Sequence, residues 1–311
     1  PGIELDAIPS NFDTSEWLAP SHGTGAIAPS ASPDVVGAFR FVCNPSHLAY
    51  DDPVVYPGQP GKSHLHQFFG NTAANANSTY ASLRQTGESS CNNKLNRSSY
   101  WTPAMLDGKG GVVLPDYITI YYKRYPVDSP YCTQMGTACV PLPRGLRYVF
   151  GYNMLNPAQV PTGAAYFNCD GPTATPGRYP DIVAAAANCP TGNRLGAIIS
   201  APSCWDGKNL DSADHRSHVA YPSYGNWGYL KCPTTHPYVI PTFTMGVWYT
   251  TDDNLDRSGT WSGSASSWHL SSDEMDGMMM RPGSSLHADW FGAWDDTVMA
   301  TWTAHCVNKL L

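Results

Sequence analysis

No stretch of the chain approaches the roughly 18 consecutive apolar residues of a membrane span, so none is expected. Charge is scarce. Only 14% of the 311 residues are Asp, Glu, Lys or Arg, and 18 basic against 25 acidic residues leave −7 at neutral pH. Lys and Arg never form a run, and without a basic footprint the phosphates of a nucleic acid would find no partner. Glutamate is nearly missing, present only as Glu4, Glu16, Glu88 and Glu274, so a two-carboxylate glycosidase would have to rely mostly on aspartates. Also absent are a Walker loop, a Gly-x-Gly-x-x-Gly turn, His-Glu-x-x-His, the Gly-x-Ser-x-Gly elbow and any Cys-x-x-Cys pair. These absences exclude the motif-borne nucleotide, zinc-protease, serine-hydrolase and thioredoxin chemistries.

Turn formers are abundant instead. The 28 Gly and 27 Pro disfavour a helical bundle, because both residues break helices and furnish turns. Short β-branched and aromatic runs at 37–43, 63–69, 117–123, 146–152, 196–200, 238–248 and 298–303 predict strands, and 286–294 is a further apolar run ending in a turn at Asp295-Asp296. Helix is expected only at 75–83 and 181–187. The pattern predicts an all-β antiparallel sandwich, jelly-roll-like, with long loops and few short helices. An irregular arm is expected over 1–35 and a single domain over 36–311. Nine cysteines lie mostly in polar, turn-rich stretches, which points to disulfides and an extracellular location. Local pairs Cys132–Cys139, Cys169–Cys189 and Cys204–Cys232 are expected, and an odd count leaves at least one thiol outside intrachain pairs. Asn77-Ser-Thr and Asn96-Arg-Ser are glycosylation sequons.

Six of ten histidines fall in short polar clusters: His64 and His66, His215 and His218, His236, and His287. On a strand, residues two apart share a face, so His64 with His66 and His287 with Asp289 would project together. Neutral imidazoles bind Zn or Cu and also transfer protons near neutral pH. At least three of these rings are expected to line one solvent-open cleft. His64, His66 and His218 are the candidate metal ligands, with Cu, Zn or Ca as the candidate ions. The polar loop from Cys204 to His218 brings Asp206, Asp211 and Asp214, either as partners that orient imidazoles or as caps of its own turns. Trp101, Trp205, Tyr221 and Trp290, with Arg216, are candidate substrate contacts, since sugar rings stack on aromatic faces; the alternative for the aromatics is core packing.

The strings SHLHQFFGN (63–71), YWTPAML, ITIYYK, LPRGLRYVFG, CWDGKNLDSADHRSHVAYP (204–222), CPTTHPYVIP and SLHADWFGAWD together resemble one family. It is a secreted fungal and bacterial family catalogued only as a domain of unknown function (number nineteen-ninety-six), and the resemblance runs from about Phe39 to Cys306. Its members commonly sit beside WSC or carbohydrate-binding modules, which implies a polysaccharide or cell-wall glycan as partner. The resemblance singles out His64, His66, Trp205, Asp206, Asp211, Asp214, His215, His218, His236, His287 and Asp289. Three readings follow. One is a monomeric extracellular enzyme, lyase or hydrolase, cleaving polysaccharide with catalytic residues drawn from that set. The second is a Cu- or Zn-binding metalloenzyme, and the third a non-catalytic wall-binding module.

Overall fold

The computed structural model describes residues 5–18, 36–133, 136–157, 164–224 and 230–308. Ten strands form its two large sheets: β1 (Gly37–Cys43), β2 (His47–Ala49), β3 (His66–Gly70), β4 (Ser99–Pro103), β5 (Tyr117–Arg124), β6 (Arg147–Gly151), β7 (Ala165–Asp170), β8 (Arg194–Ser200), β9 (Thr242–Thr250) and β10 (His287–Phe291). The first sheet runs β1-β5-β9-β8-β7 and the second β2-β3-β4-β10-β6, with every neighbour antiparallel. Four short helices, α1 (Tyr80–Gln85), α2 (Pro130–Thr133), α3 (Ile182–Ala186) and α4 (Asp296–Trp302), decorate them. The fold is all-β.

The sheets pack face to face through aromatic side chains. Phe243 of β9 meets Tyr100 of β4 and Trp290 of β10 at ring-centroid distances of 5.5 and 5.3 Å. The hydroxyls of Tyr100 and Tyr122 lie 2.5 Å apart across the same interface. Strand β5 alternates buried and partly exposed residues, as expected for one face on the core and one toward solvent. By contrast, β3, β4 and β10 are buried at all five positions. Their outer face needs a second cover. Val54, Ala74, Tyr80 and Leu83 supply it by packing with Phe68, Trp101, Val149 and Phe291. Chain from the β2–β3 connection and from α1 thus lies over the second sheet, and that covered outer face carries the histidines.

Several sequence expectations meet corrections. The run at 298–303 is helical, not a strand: Asp295 accepts hydrogen bonds from the backbone N–H of Thr297 and Val298 and starts α4. What looked like a closing turn at Asp295-Asp296 is an N-cap. The strand expected at 63–69 begins only at His66, and 238–248 is interrupted between Val239 and Thr242, at Ile240-Pro241, where the proline has no N–H for a ladder. The first helix starts later than expected, at Tyr80, because the capping box lies at Thr79 and Ser82. Strands β2, β4 and β7 and helix α2 had no counterpart in the sequence reading.

All three expected disulfides form, and a fourth joins Cys43 to Cys91, leaving Cys306 free. Of the expected N-terminal arm, 1–4 and 19–35 lie outside the described residues. Leu5, Phe12 and Leu18, which are described, pack against the core. Among the described residues no helix is long and apolar enough to cross a membrane. Asn77 is exposed, but Asn96 is fully buried with its amide on the Tyr100 hydroxyl, so only the first sequon is accessible in the folded chain.

Candidate metal centre

Strand register sets the geometry. On the outer face of the second sheet, Phe68, Trp101, Asp289 and Val149 form one row across four strands. His66 lies two residues before Phe68 and His287 two residues before Asp289, so both point to the same covered face. Gly151 sits opposite His287 with a φ of +93°, and a Cβ there would come within 2.8 Å of the His287 Cα, so only glycine lets the edge strand close at this point. His64 reaches the others from the bend that precedes β3. Its ring centroid is 4.1 Å from that of His66 and 5.2 Å from that of His287.

Each imidazole is held by its Nδ1. The Nδ1–H of His66 donates to the backbone oxygen of Asp51 at 2.9 Å, and that of His287 to the oxygen of Ser285 at 2.8 Å. His64 donates from Nδ1 to the Ser271 hydroxyl at 3.1 Å, while that hydroxyl donates onward to Leu65 O. With every Nδ1 protonated, a neutral ring carries its lone pair on Nε2. These lone pairs converge. The Nε2 atoms of His64 and His287 are 3.3 Å apart with no hydrogen available between neutral rings, and His66 Nε2 is buried without a partner. One ring nitrogen from each of the three histidines lies within 4.8 Å of the others.

Two carboxylates adjoin the rings. Asp52, His66 and Asp289 form an overlapping group with ligand atoms within the same 4.8 Å. Oδ1 of Asp52 accepts from the N–H of Val54 and Val55, whereas both oxygens of Asp289 are buried and unpartnered. Burial governs the titration of the whole group. It pushes Asp52 up to about 6 and Asp289 well above the usual carboxylate range, with the Asp52 charge adding to the latter effect. It also lowers His64 to about 4 and His287 to about 3, and holds His66 well below its ordinary value. The rings therefore stay neutral and ready to donate to a cation.

The remaining sequence candidates lie elsewhere. His218 has both ring nitrogens engaged, Nδ1 with the Ser212 hydroxyl and Nε2 with the Arg147 carbonyl, so the structure brings His287 rather than His218 beside His64 and His66. His236 likewise binds the Thr235 hydroxyl and the carbonyl of Ser217. The cluster is also largely closed rather than set in an open cleft, with His66 and His287 buried and His64 half-buried. Asp206 and Asp214 cap their own loop, accepting from the N–H of Lys208 and Asn209 and of Arg216 and Ser217 respectively. For Asp214, burial is outweighed by those donors, which hold it well below its usual value. Arg216 donates to the carbonyls of Gly151 and Tyr152. Trp101 and Trp290 are fully buried, Trp205 nearly so with its Nε1 on Asn209 O, and Tyr221 donates to Ser200 O. His215 pairs with Asp211 at 2.8 Å in a separate cavity. Sequence reasoning missed Asp52, because Tyr50-Asp-Asp-Pro53 reads only as a turn.

A family model matches residues 52–294, which spans every member of the cluster from Asp52 to Asp289. The chain belongs to the family described as Domain of unknown function (DUF1996). No curated protein and no solved structure matches it. The DUF1996 region begins on the Asp52 carboxylate, ends at Trp294 of the inter-sheet core, and leaves β1 and α4 outside the match.

Proposed function

We propose that the DUF1996 domain holds one transition-metal ion at His64, His66 and His287, with Asp289 and Asp52 supplying the balancing negative charge. The observation that carries this reading is the convergence of three imidazole lone pairs whose opposite nitrogens are all anchored. Two nitrogens about 2.05 Å from a tetrahedral zinc stand about 3.3 Å apart, which is the His64–His287 spacing. Nitrogen donors of this kind suit Zn or Cu and not Ca, which takes six to eight oxygens. His66 offers a single free lone pair, so the two overlapping groups share one ion rather than holding two. A divalent ion and two carboxylates sum to zero charge, which lowers the cost of burying the centre.

The protein around that centre is extracellular, with residues 36–311 as one domain acting as a monomer. Four disulfides support this location. Its partner is a cell-wall polysaccharide, which would reach the ion, as Lewis acid in lytic or hydrolytic cleavage, from the side of His64, the one half-buried ring of a centre otherwise closed. The test is elemental analysis of protein purified without a His tag, followed by chelator stripping and titration with Zn and Cu. One equivalent of Zn or Cu per chain is expected, and its loss in H64A and H287A. A stripped protein that binds neither ion at micromolar concentration overturns the assignment.

A further inference from the structure

On the same outer sheet face, two residues beyond Asp289, Phe291 forms part of the wall of a cavity of about 500 Å³. That size is usual for sites that take small ligands, about 300–1,000 Å³. Pro53 and Val54, next to Asp52, line it with Tyr80, whose hydroxyl is buried without a partner. Its polar end is a built arrangement. Asp211 accepts from His215 Nδ1 at 2.8 Å through one oxygen and from Arg147 Nε at 3.2 Å through the other. Among the described residues nothing hydrogen-bonds His215 Nε2, so that nitrogen is the one left for a ligand. The residue holds a φ of +57°, a conformation uncommon for anything but glycine, and such backbone positions concentrate at working sites. Arg147 and, when protonated, His215 face the cavity together with two carboxylates, Asp211 and Asp6, so the pull on an anion comes from the directed N–H of His215 Nε2 beside the Arg147 guanidinium and not from a surplus of charge. Ile8, Pro53, Val54 and Phe291 add apolar lining, with Ser78 and Thr79 as further polar residues.

We propose that this cavity binds a carboxylated sugar, a uronic acid unit, with its carboxylate on Arg147 and His215 and its C–H edges against Pro53, Val54 and Phe291. The choice of a sugar rests on the glycan reading given above. The carboxylate site does not, and neither depends on the metal.

The test uses the full chain in chelator, so that failure of the metal assignment leaves the outcome unaffected. Methyl glucuronide, glucose and acetate are titrated separately, read by calorimetry and by the side-chain signals of ¹⁵N-labelled histidine. Methyl glucuronide should shift the His215 ring resonances while glucose leaves them in place. It should also bind at least about tenfold more weakly to His215→Asn, an exchange that tolerates positive φ, and to Arg147→Gln. Unchanged melting temperatures in both variants tie the loss to the site. No binding of the glucuronide, an equal response to glucose, or unweakened binding in both variants overturns the proposal. Acetate binding as tightly as the glucuronide overturns the sugar and assigns the cavity to free carboxylates.

Discussion

Exchanging Asp289 for asparagine should move stability in opposite directions with and without metal. In the metal-free protein Asp289 is fully buried and neither of its oxygens has a donor. A buried polar group left in that state costs roughly 1–3 kcal/mol. Because burial holds this carboxyl well above the usual carboxylate range, the folded chain must either take up a proton there or bury a charge. The amide that D289N introduces has the same size, needs no proton and can donate to the unpartnered Nε2 of His66 within ligand-sharing distance. Recovering part of that cost makes the stripped variant more stable by about 1 kcal/mol. For a chain of this length that corresponds to a melting temperature higher by about 2 °C. With metal the sign reverses. Weakening the ion's environment costs about 10–100-fold in affinity, and at a fixed ion concentration well above Kd this removes about 1.4–2.7 kcal/mol of binding-linked stability. Thermal unfolding of both proteins in chelator and in excess Zn or Cu reads both effects. If D289N lowers the melting temperature equally under the two conditions, Asp289 is a structural residue and the metal reasoning fails.

Three further outcomes are expected. Replacing Cys43 and Cys91 together should cost more than replacing Cys132 and Cys139, about 4 against about 2.4 kcal/mol on loop entropy, because the first bridge closes a separation of 48 residues and the second of 7; denaturant melts giving the reverse order would refute it. Ellman titration of the unfolded, unreduced chain should find one thiol, Cys306, and two or more would show that a bridge is missing. The Asp211–His215 pair sets a pH window: its hydrogen bond to Asp211 raises His215 above 6.5, while burial of Asp211 is outweighed by the bond from His215 and by the charges of His215 and Arg147, leaving it below 3.8. The His215 contribution is complete below pH 6.5 and is lost as pH rises through the raised value, and that of Asp211 is lost as pH falls below 3.8. D211N should therefore reduce the loss of thermal stability between about pH 6 and 8, and an identical profile in variant and parent would remove the pair from the account.

In the first sheet β1 was legible in the sequence to the residue and β5 within one, while the edge strand β7 was not read at all. The periodicity of β1 and β5 is a local property. Strand β4 was not legible, because Ser-Tyr-Trp-Thr-Pro carries no alternation once both faces are buried, and its terminal proline argues against a central strand. The histidine cluster was legible in part. His64, His66, His287 and Asp289 stood out by their i and i+2 spacing, yet the meeting of β3 and β10 through β4 depends on the strand the sequence concealed. His218 carried the same composition signal as His64, and only the docking of its loop on Arg147 shows that its nitrogens are engaged. Asp52 offered no signal, since its role comes from where the β2–β3 connection folds over the sheet.

His66 and His287 are fixed in hydrogen-bonded strands, whereas His64 stands on a bend outside the ladder and is the one half-buried ring of the three. Exchange of an ion with solvent would therefore not wait for the sandwich to open. Release would proceed by displacement of the 61–65 segment, a local opening whose free energy lies well below that of global unfolding. The centre would then behave as a two-ligand seat with a movable third arm. Its off-rate would respond to substitutions at Ser63 and Ser271, which hold that segment, and hardly at all to changes in the aromatic core.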